Sequence, residues 1–395
     1  MGRFLLDGAE IDHRRIENHH RSGDLYAAAL GDGKQHRADD EDRDQQSHPR
    51  LRPLRGPVAT ASGCSVSGPL RFWVKNAGQY RKIPIARSTE PAPRSRADGS
   101  WTGSPYGGRM LSWIDLGGIS AASLIASRFR LDGGSMFGQV PKLLWSRYAK
   151  ADAQNRIPLV VRLLLVQSGE RRILVDAGMG GRYGPRERAQ MAIDPDLADL
   201  GALLVGADVP PDSISDVVLT HLHFDHVAGL GRASGRGPSE LVVPQARLHL
   251  QRAQWERAHD PGPKERRSFR AADLELLARG RLELHDGPAE IAPGVRLRRS
   301  DGHTEGQQWV SLHGARGVVF YPADLIPTAA HIRAAYTMGF DLRPDLVIRE
   351  RGALLAEATR ESAVLVFAHD PRTAAARVRE GRDEYVIAGK EPGWA

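Results

Sequence analysis

The stretch LTHLHFDHVAGL, residues 219–230, sets His221, His223, Asp225 and His226 within six positions at the end of an apolar run. Imidazole nitrogen and carboxylate oxygen are ligands for zinc and related divalent cations. In an extended segment residues two apart point the same way, so His221 and His223 can reach one ion. Asp225 and His226 follow where the chain should leave the strand, and a change of direction there aims them at a neighbouring position. The spacing differs from HExxH, in which two histidines four apart share a helical face. Further candidate ligands stand just after apolar, strand-like runs: Asp176 after RRILV, His303 after GVRLRRSDG, Asp324 after GVVFYPA and His369 after AVLVFA. Strand ends gathered at one sheet edge are where a fold can converge residues distant in sequence. The single cysteine, Cys64, excludes an internal disulfide and any zinc site built from several thiolates.

Those residues need elements to carry them. The run IPLVVRLLLVQSGERRILVDAG, residues 157–178, predicts two strands joined by a Ser-Gly-Glu turn. Further strands are predicted over 215–220, 241–249, 294–299, 308–313, 317–321 and 363–368. Helical spacing covers 187–205, 251–259, 270–279 and 344–360, the last with Pro344 at its start. Strands alternating with helices imply an α/β layered architecture in one domain over residues 110–395, and no internal repeat of fixed period is present. Residues 1–109 are rich in charge, Pro, Gly and Ser without sustained hydrophobic periodicity. Such composition buries too little apolar surface to offset chain entropy, so a disordered N-terminal extension is expected, with at most a short strand near LRFWVKN. Met110 is then the expected start of the native protein.

The formal charge of +7 raises the question of a nucleic-acid partner. Residues 1–109 hold 18 Lys and Arg against 13 Asp and Glu, which leaves 37 against 35 for the folded part. Phosphate binding needs clustered charge, so no nucleic-acid partner is expected. No stretch approaches the ~20 apolar residues of a membrane span, and the N-terminus lacks the apolar segment of a secretory signal. A cytoplasmic protein without a membrane partner is the default expectation.

THLHFDH, then GHTEGQ, then the strand-end Asp324 and His369 resemble the metallo-β-lactamase superfamily in order and spacing over residues 112–390. The resemblance implies an αββα sandwich. It also implies two divalent metal ions per chain, one held by His221, His223 and His303, the second by Asp225, His226 and His369, with Asp324 bridging them. Zinc is the first choice, and iron, manganese or cobalt suit the same donors. Asp176, in LVDAG, matches a residue that orients metal-bound groups in the family. Two such ions lower the pKa of a shared water to near ~7, so a bridging hydroxide would attack a carbonyl of a lactone or small ester.

Departures from the family's branches narrow the activity. His223 stands where flavodiiron oxidoreductases usually carry Glu, and Asp324 stands where true β-lactamases carry Cys or Ser. Neither a glyoxalase-like C-terminal pattern nor a long inserted exosite arm is present. LDGGSMFGQVPKLLW and ADLIPTAAHIRAAYTMGFD look similar to segments of lactonase-like members. Acyl-homoserine lactonases carry a tyrosine three residues after the bridging aspartate, where this chain has Pro327. Tyr336 is therefore the candidate proton donor beside Asp225, with His331 as a substitute, and Glu305 replaces a common proline. Phe137, Phe224, Tyr336 and Phe340 could line an acyl pocket or simply pack the core. His249, His259, His285 and His313 match no ligand position. The expected activity is metal-dependent hydrolysis of a small lactone or ester. Phosphotriester or phosphodiester hydrolysis, β-lactamase activity and non-catalytic metal binding are the alternatives. The sequence leaves the oligomeric state open, a dimer included.

Overall fold

From Arg156 to Ser168 the chain RIPLVVRLLLVQS alternates its apolar side chains between two faces of a strand. Leu159, Val161, Leu163 and Leu165 enter one core, Leu164 and Val166 another. A strand buried on both faces must lie inside a layered structure. In the computed structural model, residues 71–76, 79–84, 111–194, 199–232 and 239–394 are described. The unit Met1–Ser88 contains an antiparallel hairpin of β1 (Arg71–Asn76) and β2 (Gln79–Pro84), and β1 is the strand expected near LRFWVKN. The rest of the expected N-terminal extension, and its boundary at residue 110, lie outside the described residues.

In the unit Thr89–Ala395 the chain forms two seven-stranded sheets. The first contains β3 (Ile114–Asp115), β4 (Ile119–Asp132), β5 (Arg156–Ser168), β6 (Arg171–Val175) and β7 (Asp216–Val218). A short pair, β8 (Gly231–Arg232) and β9 (Glu240–Leu241), stands apart before the sheet resumes with β10 (Arg247–Gln251) and β11 (Arg281–His285). Its order is β11-β10-β7-β6-β5-β4-β3, antiparallel among β3 to β6 and parallel from β6 through β11. The second sheet runs in sequence order: β12 (Ala289–Ala292), β13 (Val295–Ser300), β14 (Gln307–Gly314), β15 (Gly317–Tyr321), β16 (Val364–Val366), β17 (Ala375–Glu380) and β18 (Tyr385–Lys390).

Three apolar layers hold these sheets. Between them lie Leu164, Val166, Ile173 and Val175 from the first and Val310, Leu312, Val319 and Tyr321 from the second. The outer face of the first sheet packs with the helices α1 (Gly133–Phe137), α2 (Lys142–Trp145), α3 (Pro185–Met191), α4 (Leu200–Gly206), α5 (Phe224–Val227), α6 (Arg252–His259) and α7 (Ala271–Leu277). The outer face of the second packs with α8 (Pro344–Arg360), through Val347, Leu354, Leu355 and Ala358 against Phe320 and Leu365. Helix, sheet, sheet and helix layers make this the expected αββα sandwich. Among the described residues no helix is long and apolar enough to cross a membrane.

Two expected elements are divided. The helical pattern over 187–205 becomes α3 and α4, because Ala192 turns left-handed with φ 44° just after α3 and ends it. The strand expected over 241–249 becomes the end of β9 and the start of β10, with Pro244 in the turn between them.

Strand direction decides where the candidate ligands emerge. β6 and β7 are parallel neighbours, so Asp176 and the His221–His226 cluster leave the first sheet at the same edge. β15 and β16 are parallel, and β13 matches their direction because two antiparallel pairings separate it from β15. The segments carrying His303, Asp324 and His369 therefore leave one edge of the second sheet.

Candidate metal centre

His221, His223, His226, His303 and His369 are all buried, and so are Asp176, Asp225 and Asp324. Three groups have donor atoms within 4.8 Å of one another, close enough to share an ion: His221, His223 and His303; Asp225, His226 and His369; and His221, His226 and Asp324. The strand-end residues named from the sequence are thus brought together. The turn carrying the cluster is clamped: a Cβ on Gly229 would stand 1.9 Å from the Ala177 carbonyl oxygen, so only glycine lets HVAGL lie against the Asp176 loop. Asp176 itself has φ 60°, and Ala323, which aims Asp324, has φ 49°. Non-glycine residues held left-handed cost free energy that the surrounding packing must supply.

Hydrogen bonds at the rim fix which nitrogen of each ring is free. His226 Nδ1 donates to Asp176 Oδ2 at 2.9 Å, His303 Nδ1 to Asp341 Oδ1 at 2.8 Å and His369 Nδ1 to the Val160 carbonyl at 2.8 Å. Thr220 Oγ1 gives its proton to Asp176, so it accepts from His221 Nδ1 at 3.1 Å. In the neutral form all four rings consequently turn a bare Nε2 inward. His223 is reversed: its Nδ1 lies 3.2 Å from His303 Nε2, and its Nε2 lies 4.0 Å from the buried Glu265. Glu265 is held by Arg257 and by Thr304 Oγ1 at 2.8 Å.

This donor set fits cations. His221 Nε2 and Asp324 Oδ1 are buried without a hydrogen-bond partner. His226 Nε2 and His369 Nε2 face each other at 3.1 Å, where two lone pairs repel unless a positive charge is shared between them. Asp324 turns one oxygen to each side. Its Oδ2 lies 3.3 Å from His303 Nε2 and 3.9 Å from His221 Nε2, while its Oδ1 lies 2.9 Å from His369 Nε2 and 3.4 Å from His226 Nε2.

The titration behaviour follows from the same contacts. Burial pulls His221 well below its ordinary range, and the neighbouring His226 and His223 pull it further, so it stays neutral. Burial also lowers His226, yet Asp225, Asp176 and Asp324 outweigh it and raise the ring well above that range. Burial pushes Asp324 up, but His369 and His226 hold it well below the usual carboxylate range. The carboxylates of the site thus draw positive charge to it.

Above the histidines opens a cavity of about 230 Å³. Polar groups on its wall include His223, Asp225, His303, Asp324 and His369; Phe129, Leu131, Leu159, Met191, Phe224 and Phe340 supply much of the apolar remainder. A second, wider cavity of about 750 Å³ adjoins it through Leu131, Gln190, Met191 and Phe340. Tyr336 does not line either cavity. Its ring stands edge-on to Phe137 and Tyr148, with centroids 5.9 and 5.6 Å away. Tyr336, expected from the sequence as a proton donor, packs on these two rings and is absent from the wall over the histidines. His331 is no substitute, since it is buried between Thr328 Oγ1 and the Met136 carbonyl, and burial lowers its pKa to about 4. Phe137 packs in the core against Trp145 and His331, leaving Phe224 and Phe340 as the expected aromatics that line the cavity. Of the histidines set aside, His249 is buried on Asp216 at 2.8 Å. Sequence reasoning missed Thr220 and Asp341, the hydrogen-bond partners of His221 and His303, and Glu265, which stands 4.0 Å from His223. Thr220 was findable as the neighbour of His221, whereas nothing in spacing marks the other two.

A profile of the metallo-beta-lactamase superfamily matches residues 157–369. An N-acyl homoserine lactonase of Bacillus cereus is 25% identical over 229 residues, 55% of this chain and 83% of that protein; further Bacillus lactonases match over 57% of their length. Among solved structures, a probable metal-dependent hydrolase from Staphylococcus aureus is similar with a TM-score of 0.64 at 26% identity, covering 70% of this chain and 100% of that one. A dizinc quorum-quenching lactonase, AidC, shares the fold with a TM-score of 0.56 at 18% identity, covering 71% and 98%.

Proposed function

Because this chain belongs to the metallo-β-lactamase superfamily and is a metal-dependent hydrolase related to lactonases, we propose that it uses two divalent cations to hydrolyse lactones or small carboxylic esters. His221 Nε2, His223 Nδ1 and His303 Nε2 would hold one ion. Asp225, His226 Nε2 and His369 Nε2 would hold the other, with Asp324 shared. The single observation behind the two-ion reading is Asp324, whose oxygens face different groups of histidines. When bound, such ions supply Lewis-acid chemistry, lowering the pKa of a water to near ~7 and stabilising an oxyanion.

The chain's own residues do the rest. Phe129, Leu131, Leu159 and Met191 take the apolar part of the substrate and exclude bulk water from the carbonyl. Oxygen from water forms a bond to the carbonyl carbon, the ring or ester C–O bond breaks, and the proton released must reach the leaving alkoxide. Asp225 is the group for that transfer. It lines the cavity, is 8% exposed, and stands 3.7 Å from His369 Nε2 and 3.8 Å from His226 Nε2 through Oδ2. The relatedness to N-acyl homoserine lactonase supports a lactone as the carbonyl substrate.

A hydrolysis panel tests the reading, run on metal-loaded protein with lactones, aryl esters, phosphotriesters and β-lactams. Chelator-sensitive turnover greatest on lactones or esters is expected. Turnover confined to phosphotriesters or β-lactams, or none on any class, would overturn the substrate assignment.

A further inference from the structure

Asp341 is fully buried, and its ion pair among the described residues is with His303. Oδ1 accepts from His303 Nδ1 at 2.8 Å, while Oδ2 accepts from the backbone N–H of Met338 at 2.8 Å. A carboxylate this deep is costly unless both oxygens are satisfied and its charge is answered. Here one oxygen is spent on the ring that faces the site and the other on the loop that walls the cavity. The backbone repeats the link: Leu342 N–H donates to the His303 carbonyl at 3.0 Å, and Arg343 N–H to that of Gly302 at 2.9 Å. Lys264 Nζ meets the Asp341 carbonyl oxygen, and Gly339 N–H fixes the loop to Ser135 O at 2.8 Å. Met338 and Phe340 of this loop both line the cavity.

We propose that Asp341 is a positioning residue, one carboxylate that sets the tautomer and aim of His303 while fixing the Met338–Phe340 wall. The inference rests on the reading of His303 as a metal ligand. A carboxylate behind a ligating imidazole makes the ring more basic and holds its orientation, and loss of such a partner typically lowers metal affinity ~10–100-fold. The coupling has a second consequence. A change at Asp341 reaches the cavity wall as well as the ion, and the two effects separate by substitution. Asp341→Asn can keep a carbonyl oxygen on the Met338 N–H while placing an amide NH₂ against His303 Nδ1. Asp341→Ala removes both links.

The test is titration of chelator-stripped protein with Zn²⁺ against a chromophoric competitor, alongside ¹⁵N NMR of the histidine rings and steady-state kinetics. Expected is one ion bound as in wild type and one bound ~10–100-fold more weakly in both variants, with loss of the Nδ1–H tautomer signal of His303. KM should rise more in Asp341→Ala than in Asp341→Asn. Unchanged affinity for both ions in a folded Asp341→Asn protein overturns the inference, even if Asp341→Ala fails to fold. If wild type binds one ion, the two-ion reading falls alone, and the affinity of Asp341→Asn for that ion still decides: weakened supports the role, unchanged overturns it. No ion bound by wild type overturns both.

Discussion

Replacing Asp176 by alanine should cost more stability than almost any other single change near the site. Its carboxylate is fully buried and accepts from Thr220 N at 2.9 Å, Thr220 Oγ1 at 2.9 Å and His226 Nδ1 at 2.9 Å, with Tyr321 OH 3.3 Å from Oδ2. Tyr321 keeps a partner after the change, because its hydroxyl donates to the Arg162 carbonyl at 2.6 Å. Thr220 Oγ1 still accepts from His221 Nδ1, but its own proton loses its acceptor. The backbone N–H of Thr220 and Nδ1 of His226 are also left buried with no acceptor, which makes three such donors. Each such donor costs about 1–3 kcal/mol, so the loss should be about 3–9 kcal/mol, a large share of the 5–15 kcal/mol that ordinarily separates folded from unfolded protein. The assay is urea unfolding of chelator-stripped protein, comparing midpoints at equal m. Asp176→Asn supplies the contrast. Its oxygen can serve Thr220 N–H, but its NH₂ meets His226 Nδ1 and forces the ring to carry its proton on Nε2, so metal affinity falls even where stability is largely kept. A loss below about 1 kcal/mol for Asp176→Ala would refute the claim that these bonds position the cluster.

Asp324→Ala should remove one of the two ions and most turnover, measured by metal content and kcat; retention of both ions at full activity would contradict a shared carboxylate. Tyr336→Phe should leave kcat/KM within about twofold, because the ring packs on Phe137 and Tyr148. A loss of about 10²-fold or more, the scale of a general acid, would return Tyr336 to the site. At the first sheet, the buried Asp216 binds Arg171 at 2.6 Å, Arg247 at 3.0 Å and His249 at 2.8 Å, and despite burial the hydrogen bonds from His249 and Arg171 hold its pKa well below the usual carboxylate range. A depressed folded pKa stabilises the fold above the unfolded value near ~3.9, and that contribution is lost as pH falls from there towards the folded value. Asp216→Asn should therefore lower stability by about 2–3 kcal/mol at pH 7, less than the ~3–5 kcal/mol of a fully buried pair because both arginines retain contact with water, and should flatten the acid limb. An unchanged acid limb would contradict this.

The donors were legible because His221, His303, Asp324 and His369 each stand three residues after a strand end, with His223, Asp225 and His226 following in the same turn, and strand ends are what a sheet edge collects. The order THLHFDH, His303, Asp324, His369 carried the αββα architecture with it. What spacing could not carry was contact without period. His303 and Asp341 lie 38 positions apart on unrelated segments, and their bond exists only because the loop before α8 folds back onto the end of β13. Tyr336 shows the converse, since nearness in sequence to Asp324 did not put its ring on the cavity wall. Among the elements, β4, ISAASLIASRFRLD, mixes Ser and Arg into a strand that is buried along most of its length, so its apolar signal is diluted. β17, AARVRE, is half charged, so its apolar signal is diluted in the same way although Ala375, Ala376 and Val378 are buried.

The most direct measurement is the number of metal ions per chain, determined by elemental mass spectrometry on protein loaded with Zn²⁺ and freed of excess, with lactone turnover followed on the same sample. Two ions per chain, with activity that rises as the second is added, is the predicted result. One ion per chain at full activity, or full activity with none, would contradict the two-cation hydrolase.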